Sequence, residues 1–167
     1  MNPLAWLVGL LLPACAFSGA AGIPVPASLD FSHIQRPASP NTALAAPIGF
    51  LPTPDIVTRS YNLPAPQLYT ALGDVAAAQT RVFPLAAYPD HGQIFWVARS
   101  AVLNFPDVIS AEIRAETPQT STLVLYSRSI YGSSDLGVNR GRLLAWIAAL
   151  DARLPAGPTT LAPGGKP

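Results

Sequence analysis

Between Val108 and Glu116 the side chains alternate. Ile109, Ala111, Ile113 and Ala115 fall on one side, Glu112 and Arg114 on the other. A period of two marks a strand buried on one face, a pattern that antiparallel sheets permit. Neighbouring apolar runs are reached through only a few turn residues. Asn104-Phe105-Pro106-Asp107 separates this run from Ile94–Leu103, Pro89-Asp90-His91-Gly92 precedes that one, and Thr117-Pro118-Gln119-Thr120 leads on to Ser121–Ile130. Connections this short close hairpins and cannot carry crossovers. With a further short run over Gln79–Leu85, the pattern predicts a four-stranded antiparallel meander.

Helical spacing flanks the meander on both sides. Leu68, Leu72 and Val75 or Ala76 follow Pro64-Ala65-Pro66, and proline suits a first helical turn. From about Asn139 to Arg153, a stripe of Leu143, Leu144, Ile147, Leu150 and Leu154, with Trp146 flanking it, fits a helix covering a sheet. Asn139 is the expected N-cap and Asp135 the alternative. The expected class is α+β: a two-layer domain over 64–154, four strands covered by an N-terminal and a C-terminal helix. The Pro/Gly/Thr-rich tail over 155–167 is expected to be disordered.

Residues 23–63 are a proline-rich lead-in, in which a long helix or a central strand is disfavoured. Phe31, Ile34, Ile48, Phe50, Leu51, Ile56 and Val57 are too many apolar groups for a solvated spacer. From Phe31 onward an extended strap wrapping the domain is expected. Ahead of it, residues 1–22 contain the apolar run Leu4–Leu12 followed by Pro13, Ala14 and Cys15. The run has the length of a signal-peptide core and is short for a spanning helix. Leu12-Pro13-Ala14-Cys15 resembles a lipobox that would lipidate Cys15. Ser18-Gly19-Ala20 offers a cleavage site, and an uncleaved anchor is the third reading. No basic residue precedes the run, so a misplaced start or a run packed on the domain stays open. Each export reading places the domain in the cell envelope, on the periplasmic face of a bacterial membrane.

Composition removes several function classes. Ten basic residues are scattered against nine acidic ones, for a net charge of +1, whereas a nucleic-acid partner requires clustered cations. One cysteine excludes an internal disulfide, and His33 and His91 have no partner at metal-ligand spacing. No cofactor and no metal are expected.

The densest polar stretch joins the last strand to the last helix, reading SRSIYGSSDLGVNRGR over 127–142. It resembles the most distinctive motif of the bacterial domain-of-unknown-function family 1499. Arg36-Pro37-Ala38-Ser39-Pro40-Asn41 is similar to that family's early Pro-Ser-Pro-Asn element, and Arg99-Ser100 with Phe105-Pro106-Asp107 to its middle segment. The likeness spans roughly Phe31 to Leu154 and implies an envelope-associated or membrane-anchored bacterial protein. It departs at Thr42, where the resemblance implies a cysteine in many relatives, so a function resting on that thiol is not implied here.

The residues around this turn admit two arrangements. Arg99 and Arg128 lie within strands, and Arg140 and Arg142 at a helix N-terminus oppose its dipole. In one arrangement Asp135 and Asp107 pair with Arg128, Arg99 or Arg140 and lock turn, sheet and helix together. In the other, free helix amides with Arg128 or Arg140 hold an anion. The site set is Arg99, Asp107, Arg128, Ser133, Ser134, Asp135, Asn139 and Arg140, with Cys15 for lipidation. The leading expectation is a non-catalytic module, anchored to a membrane by its N-terminus, that binds an anionic or amphipathic small molecule, a lipid or a protein partner. The alternatives are a hydrolase or transferase acting on an anionic envelope substrate through Ser133 or Ser134 with Asp135 and the arginines, and a purely structural envelope protein.

Overall fold

The computed structural model describes residues 18–154; Cys15, the apolar run Leu4–Leu12 and the tail over 155–167 lie outside them. Strands β1 (Thr42–Ala46) and β2 (Ile56–Val57) precede helix α1 (Ala65–Ala77). Strands β3 (Val82–Tyr88), β4 (Gln93–Arg99), β5 (Pro106–Thr117) and β6 (Thr120–Ser129) follow, and helix α2 (Val138–Arg153) ends the described chain. The class is α+β, with a mixed sheet in the order β2-β1-β6-β5-β4-β3.

The sheet therefore has six strands, not four. The lead-in supplies the two extra ones, because proline blocks a strand only where it stands. Residues 41–46 and 55–63 are proline-free windows, and each holds a strand. β1 pairs antiparallel with β6, Thr42 opposite Arg128 and Leu44 opposite Tyr126, and β2 adds parallel at the edge. Other boundaries move for local reasons. β4 stops at Arg99, because Ser100 turns back on Phe105 and Asn104 takes a left-handed φ of 55°. β3 starts at Val82, after Arg81 at φ 60°. β3 is the other edge strand, which is where its internal Pro84 costs no ladder bond. Gly92 closes the β3–β4 hairpin at φ 64°, and a Cβ there would stand 2.3 Å from the Ile113 carbonyl oxygen.

Both helices cover one face. Leu68, Leu72 and Val75 of α1 and Leu143, Trp146 and Leu150 of α2 pack on Trp96, Ile109, Ala111, Leu123 and Leu125. Trp146 is central to this core, meeting Trp96 edge-on at 5.3 Å, while Leu144 faces outward. The expected stripe therefore holds at Leu143, Ile147, Leu150 and Leu154, but Trp146 belongs to its centre and Leu144 does not. Among the described residues no helix is long and apolar enough to cross a membrane.

The opposite face is covered by the lead-in. Ile23 packs on Val97 and Val108; Phe31 and Ile34 pack on Leu44, Ala46, Val124 and Tyr126. Side chains from the sheet fasten the first arm. Arg99 donates to the carbonyls of Gly19 (2.8 Å) and Ala21 (2.9 Å), Tyr88 to that of Pro26 (2.6 Å), and Gln93 exchanges two bonds with the Leu29 backbone. This arm runs antiparallel to β4, from its Arg99 end to its Gln93 end. A short turn at Phe31–His33 reverses the chain, and a second arm returns to Asn41 at the start of β1.

Candidate functional site

Where β5, β6 and α2 meet, buried polar side chains form one connected clasp on the helix-covered face. Register places Asp107 opposite Ser129. Arg142 donates one guanidinium nitrogen to Asp107 at 2.6 Å and another to Asn139 Oδ1 (2.6 Å) and Ser127 Oγ (3.0 Å). Ser127 also donates to Asn139 Oδ1 at 2.5 Å. Asn139 is fully buried, and its amide donates to the Asn41 carbonyl (2.9 Å) and to Ser129 Oγ (3.0 Å). Asn41 in turn donates to the Gly132 carbonyl at 2.7 Å. Buried polar groups cost little only when so fully bonded, and here the links tie β5, β6 and the Asn41 segment to α2.

The predicted site residues divide between this clasp and its surroundings. Asp107 and Asn139 belong to it, together with Ser127, Ser129, Asn41 and Arg142. The partner of Asp107 is Arg142, not Arg99, Arg128 or Arg140, because the first turn of α2 brings position 142 over the start of β5. Asn139 lies inside the helix, and the N-cap position is Gly137, at a left-handed φ of 82°. Asp135, two residues ahead, supplies the acceptors for the helix entry. One Asp135 carboxylate oxygen accepts the Gly137 N–H (3.0 Å) and the other the Asn139 N–H (2.7 Å). A carboxylate there also complements the helix dipole. Those amides are thereby taken, so an anion seated on them would have to displace Asp135. Ser134 accepts the Leu136 N–H, while Ser133 and Arg140 are exposed. Arg99 is buried on the other face, under the first strap arm.

Arg128 marks a different place. Its strand parity puts it on the strap-covered face, where its exposed side chain makes no hydrogen bond or ion pair with the described residues. There the two strap arms stand apart and leave a cleft of about 780 Å³ over β4, β5 and β6. Leu29 and Ile34 wall it, Phe95, Val108 and Tyr126 form the floor, and Arg128 stands beside them. The cleft runs on to Ser129, Ile130 and Gly132, next to the clasp. The Tyr126 hydroxyl is buried and has no partner meeting hydrogen-bond geometry. Burial raises its pKa, and nearby Arg128 and the Thr42 hydroxyl oppose that rise. Arg36, also in the cleft wall, is neutralised by Asp55 at 2.8 Å. An apolar floor beside one unpaired guanidinium suits a molecule with an apolar body and an anionic end.

Groups capable of acid–base work are few. His33 at the cleft wall bonds Asp30 through Nδ1 at 2.6 Å. Asp30 also accepts from the Ser32 hydroxyl and amide, and these bonds, that from the Ser32 side chain foremost, hold its carboxyl at about 2. Ser32 meets the same ring nitrogen as Asp30, which is a turn arrangement and not a nucleophile relay. His91 lies in the β3–β4 turn, at the opposite end of the sheet from Ser133 and Ser134. Among the described residues no group of three or more His, Cys, Asp or Glu side chains could hold a metal.

No curated protein matches the chain. Two solved structures share a distant likeness. One is the di-domain ARO/CYC BexL from the BE-7585A biosynthetic pathway, at 12% identity and a TM-score of 0.43, covering 56% of this chain. This chain spans 43% of that protein's length. The other is a Thermobifida fusca protein solved by NMR, at 8% identity and a TM-score of 0.41, covering 66% of this chain and 93% of its own. Likenesses this distant say nothing about function. The three segments joined by the clasp, around Asn41, Asp107 and Asn139, all fall within residues 34–150, which the model of the family "Protein of unknown function (DUF1499)" matches, and the chain belongs to that family.

Proposed function

We propose that this chain is a non-catalytic binding module of the bacterial cell envelope, held at the periplasmic face of a membrane by its N-terminus. Its ligand is an amphipathic anion taken into the strap cleft. The observation that carries this reading is Arg128, an exposed guanidinium without a counter-charge, beside an apolar floor of Phe95, Val108 and Tyr126. The charge of the ligand pairs with Arg128, and its apolar part covers the floor between the strap arms. Most of the polar groups at the strand–helix turn are engaged with one another, which moves the binding role from the turn to the cleft.

The grip of Arg99 on the Gly19 and Ala21 carbonyls bears on the N-terminus. Cleavage after Ala20 would remove one of those acceptors, so a lipidated Cys15 or a retained anchor fits the fold better. The hydrolase or transferase reading has less support, since Asp135 holds helix amides with both oxygens and is not free to activate Ser133 or Ser134.

The test is the melting temperature of the full chain with dihexanoylphosphatidylglycerol, dihexanoylphosphatidylcholine or inorganic phosphate, the lipids kept below their micelle concentrations. A ligand at about 100 times its Kd stabilises by roughly 2.7 kcal/mol. The phosphatidylglycerol should give the largest rise, and Arg128→Gln should abolish it. An equal rise in Arg128→Gln, or no rise with any of the three, would overturn the proposal.

A further inference from the structure

The β4–β5 loop and the β6–α2 turn lie side by side at one end of the sheet, where Phe105 and Tyr131 meet with ring centroids 6.4 Å apart. Around this pair apolar side chains stand out into solvent. Val102 is 91% and Leu136 95% exposed, with Leu103 and Val138 more than half exposed beside them. Leu136 is held there at a left-handed φ of 54°, a conformation that costs a branched residue energy and that its exposed side chain does not repay. Isolated surface leucines need no explanation, but four apolar tips on a loop and the adjoining helix entry, around an aromatic pair, do.

Charge gathers at the same end. Arg81, Arg128 and Arg140 are exposed there, while Arg99 is buried under the strap and Arg142 is paired within the clasp. Asp107 is spent on Arg142, and Asp135 on the helix cap. Arg81 is aimed across the loop base at the Arg99 and Ser100 carbonyls and at Asn104, without a carboxylate among those partners. The first strap arm also reaches this end, since Arg99 holds Gly19 and Ala21. Residues 18–22, the first described, are thus held at this end of the sheet.

We infer that this end of the sheet lies on an anionic bilayer, with Val102, Leu103, Leu136 and Val138 in the interfacial layer and Arg81, Arg128 and Arg140 over the headgroups. Apolar tips combined with basic side chains are the two attractions that hold a domain on such a surface. The inference rests on the membrane association proposed above and adds its geometry: the strap cleft, which runs on to Ile130 and Gly132, opens beside the lipid.

The test uses the full chain with Cys15→Ser and a single new cysteine carrying the environment-sensitive label NBD, at Val102→Cys, Leu136→Cys or Ile48→Cys. Ile48 is apolar and 87% exposed but lies in the β1–β2 loop, at the opposite end of the sheet. Each labelled protein is mixed with vesicles of phosphatidylglycerol and phosphatidylcholine, and flotation of the same samples reports binding. Labels at 102 and 136 should brighten about twofold or more and shift to the blue on entering the interface, while the label at 48 stays unchanged. Flotation with silent labels at 102 and 136, or with a response at 48 alone, would overturn this orientation and leave membrane association standing. Absence of flotation would overturn the bilayer contact inferred here. Anchoring through Cys15, which Cys15→Ser removes, is read separately by flotation of the wild-type chain from its host, and a wild-type chain that also failed to float would overturn both.

Discussion

Replacing Asp107 with alanine tests the clasp where its energetics are clearest. The Asp107 and Arg142 side chains are only 10% and 14% exposed, so solvent does little to screen the pair. Removing the carboxylate leaves a guanidinium that cannot turn outward without giving up Asn139 Oδ1 and Ser127 Oγ. Stranding one partner of a buried pair costs about 3–5 kcal/mol. The two retained acceptors place the expected loss near the lower bound, about 3 kcal/mol, or roughly 10 °C in melting temperature for a domain of this size. Asp107→Asn keeps a hydrogen-bond acceptor and should lose about half as much. Removing both charges, as Asp107→Ala with Arg142→Met, should come back to within about 1 kcal/mol of the parent. Urea and thermal unfolding followed by circular dichroism measure all three. A single Asp107→Ala change that left the midpoint unmoved, or a double variant no better than the single one, would refute the clasp.

The remaining predictions are smaller and separate the parts of the site. Asp135→Ala removes a helix cap and not a buried ion pair, so it should cost about 1 kcal/mol; a loss as large as that of Asp107→Ala would mean the cap is wrongly assigned. Tyr126→Phe deletes a buried hydroxyl that lacks a well-formed bond and should stabilise the apo protein by about 1 kcal/mol in urea titrations; marked destabilisation would reveal a partner for that hydroxyl. Burial, the largest cause in each case, raises the pKa of both Tyr61 and Tyr126. Their contribution is complete below the unfolded tyrosine value near pH ~10 and is lost as pH rises towards the folded values. Stability should therefore fall above pH ~10, and fall less in a Tyr61→Phe/Tyr126→Phe variant; identical alkaline profiles would contradict this.

Much of the scaffold is legible in the sequence, because alternation and turn chemistry act locally. The period-two run over Val108–Glu116 and its short connections locate the pairing of β3 to β6. The proline-rich lead-in hides β1 and β2, since proline frequency over forty residues masks windows of six to nine without any. The clasp is half legible. Asp107 and Asn139 stand out as polar residues at element ends, but their link through Arg142, Ser127 and Asn41 depends on the β5–β6 register and the rotation of α2, which are set by core packing. Parity carries one signal that reaches further. Leu123 and Leu125 face the helices, so Tyr126 and Arg128 must face away from them, which separates Arg128 from the turn residues beside it in sequence. What no local pattern could show is that the strap would split into two arms and leave a cleft above Arg128.

The measurement closest to the central claim is native mass spectrometry of the full chain released from its host membrane. The strap cleft, and not the strand–helix turn, should hold the ligand. The wild-type protein should carry an anionic amphiphile that is retained in Arg140→Gln, at the turn, and lost in Arg128→Gln, in the cleft. An adduct that survives Arg128→Gln and disappears with Arg140→Gln would contradict that assignment.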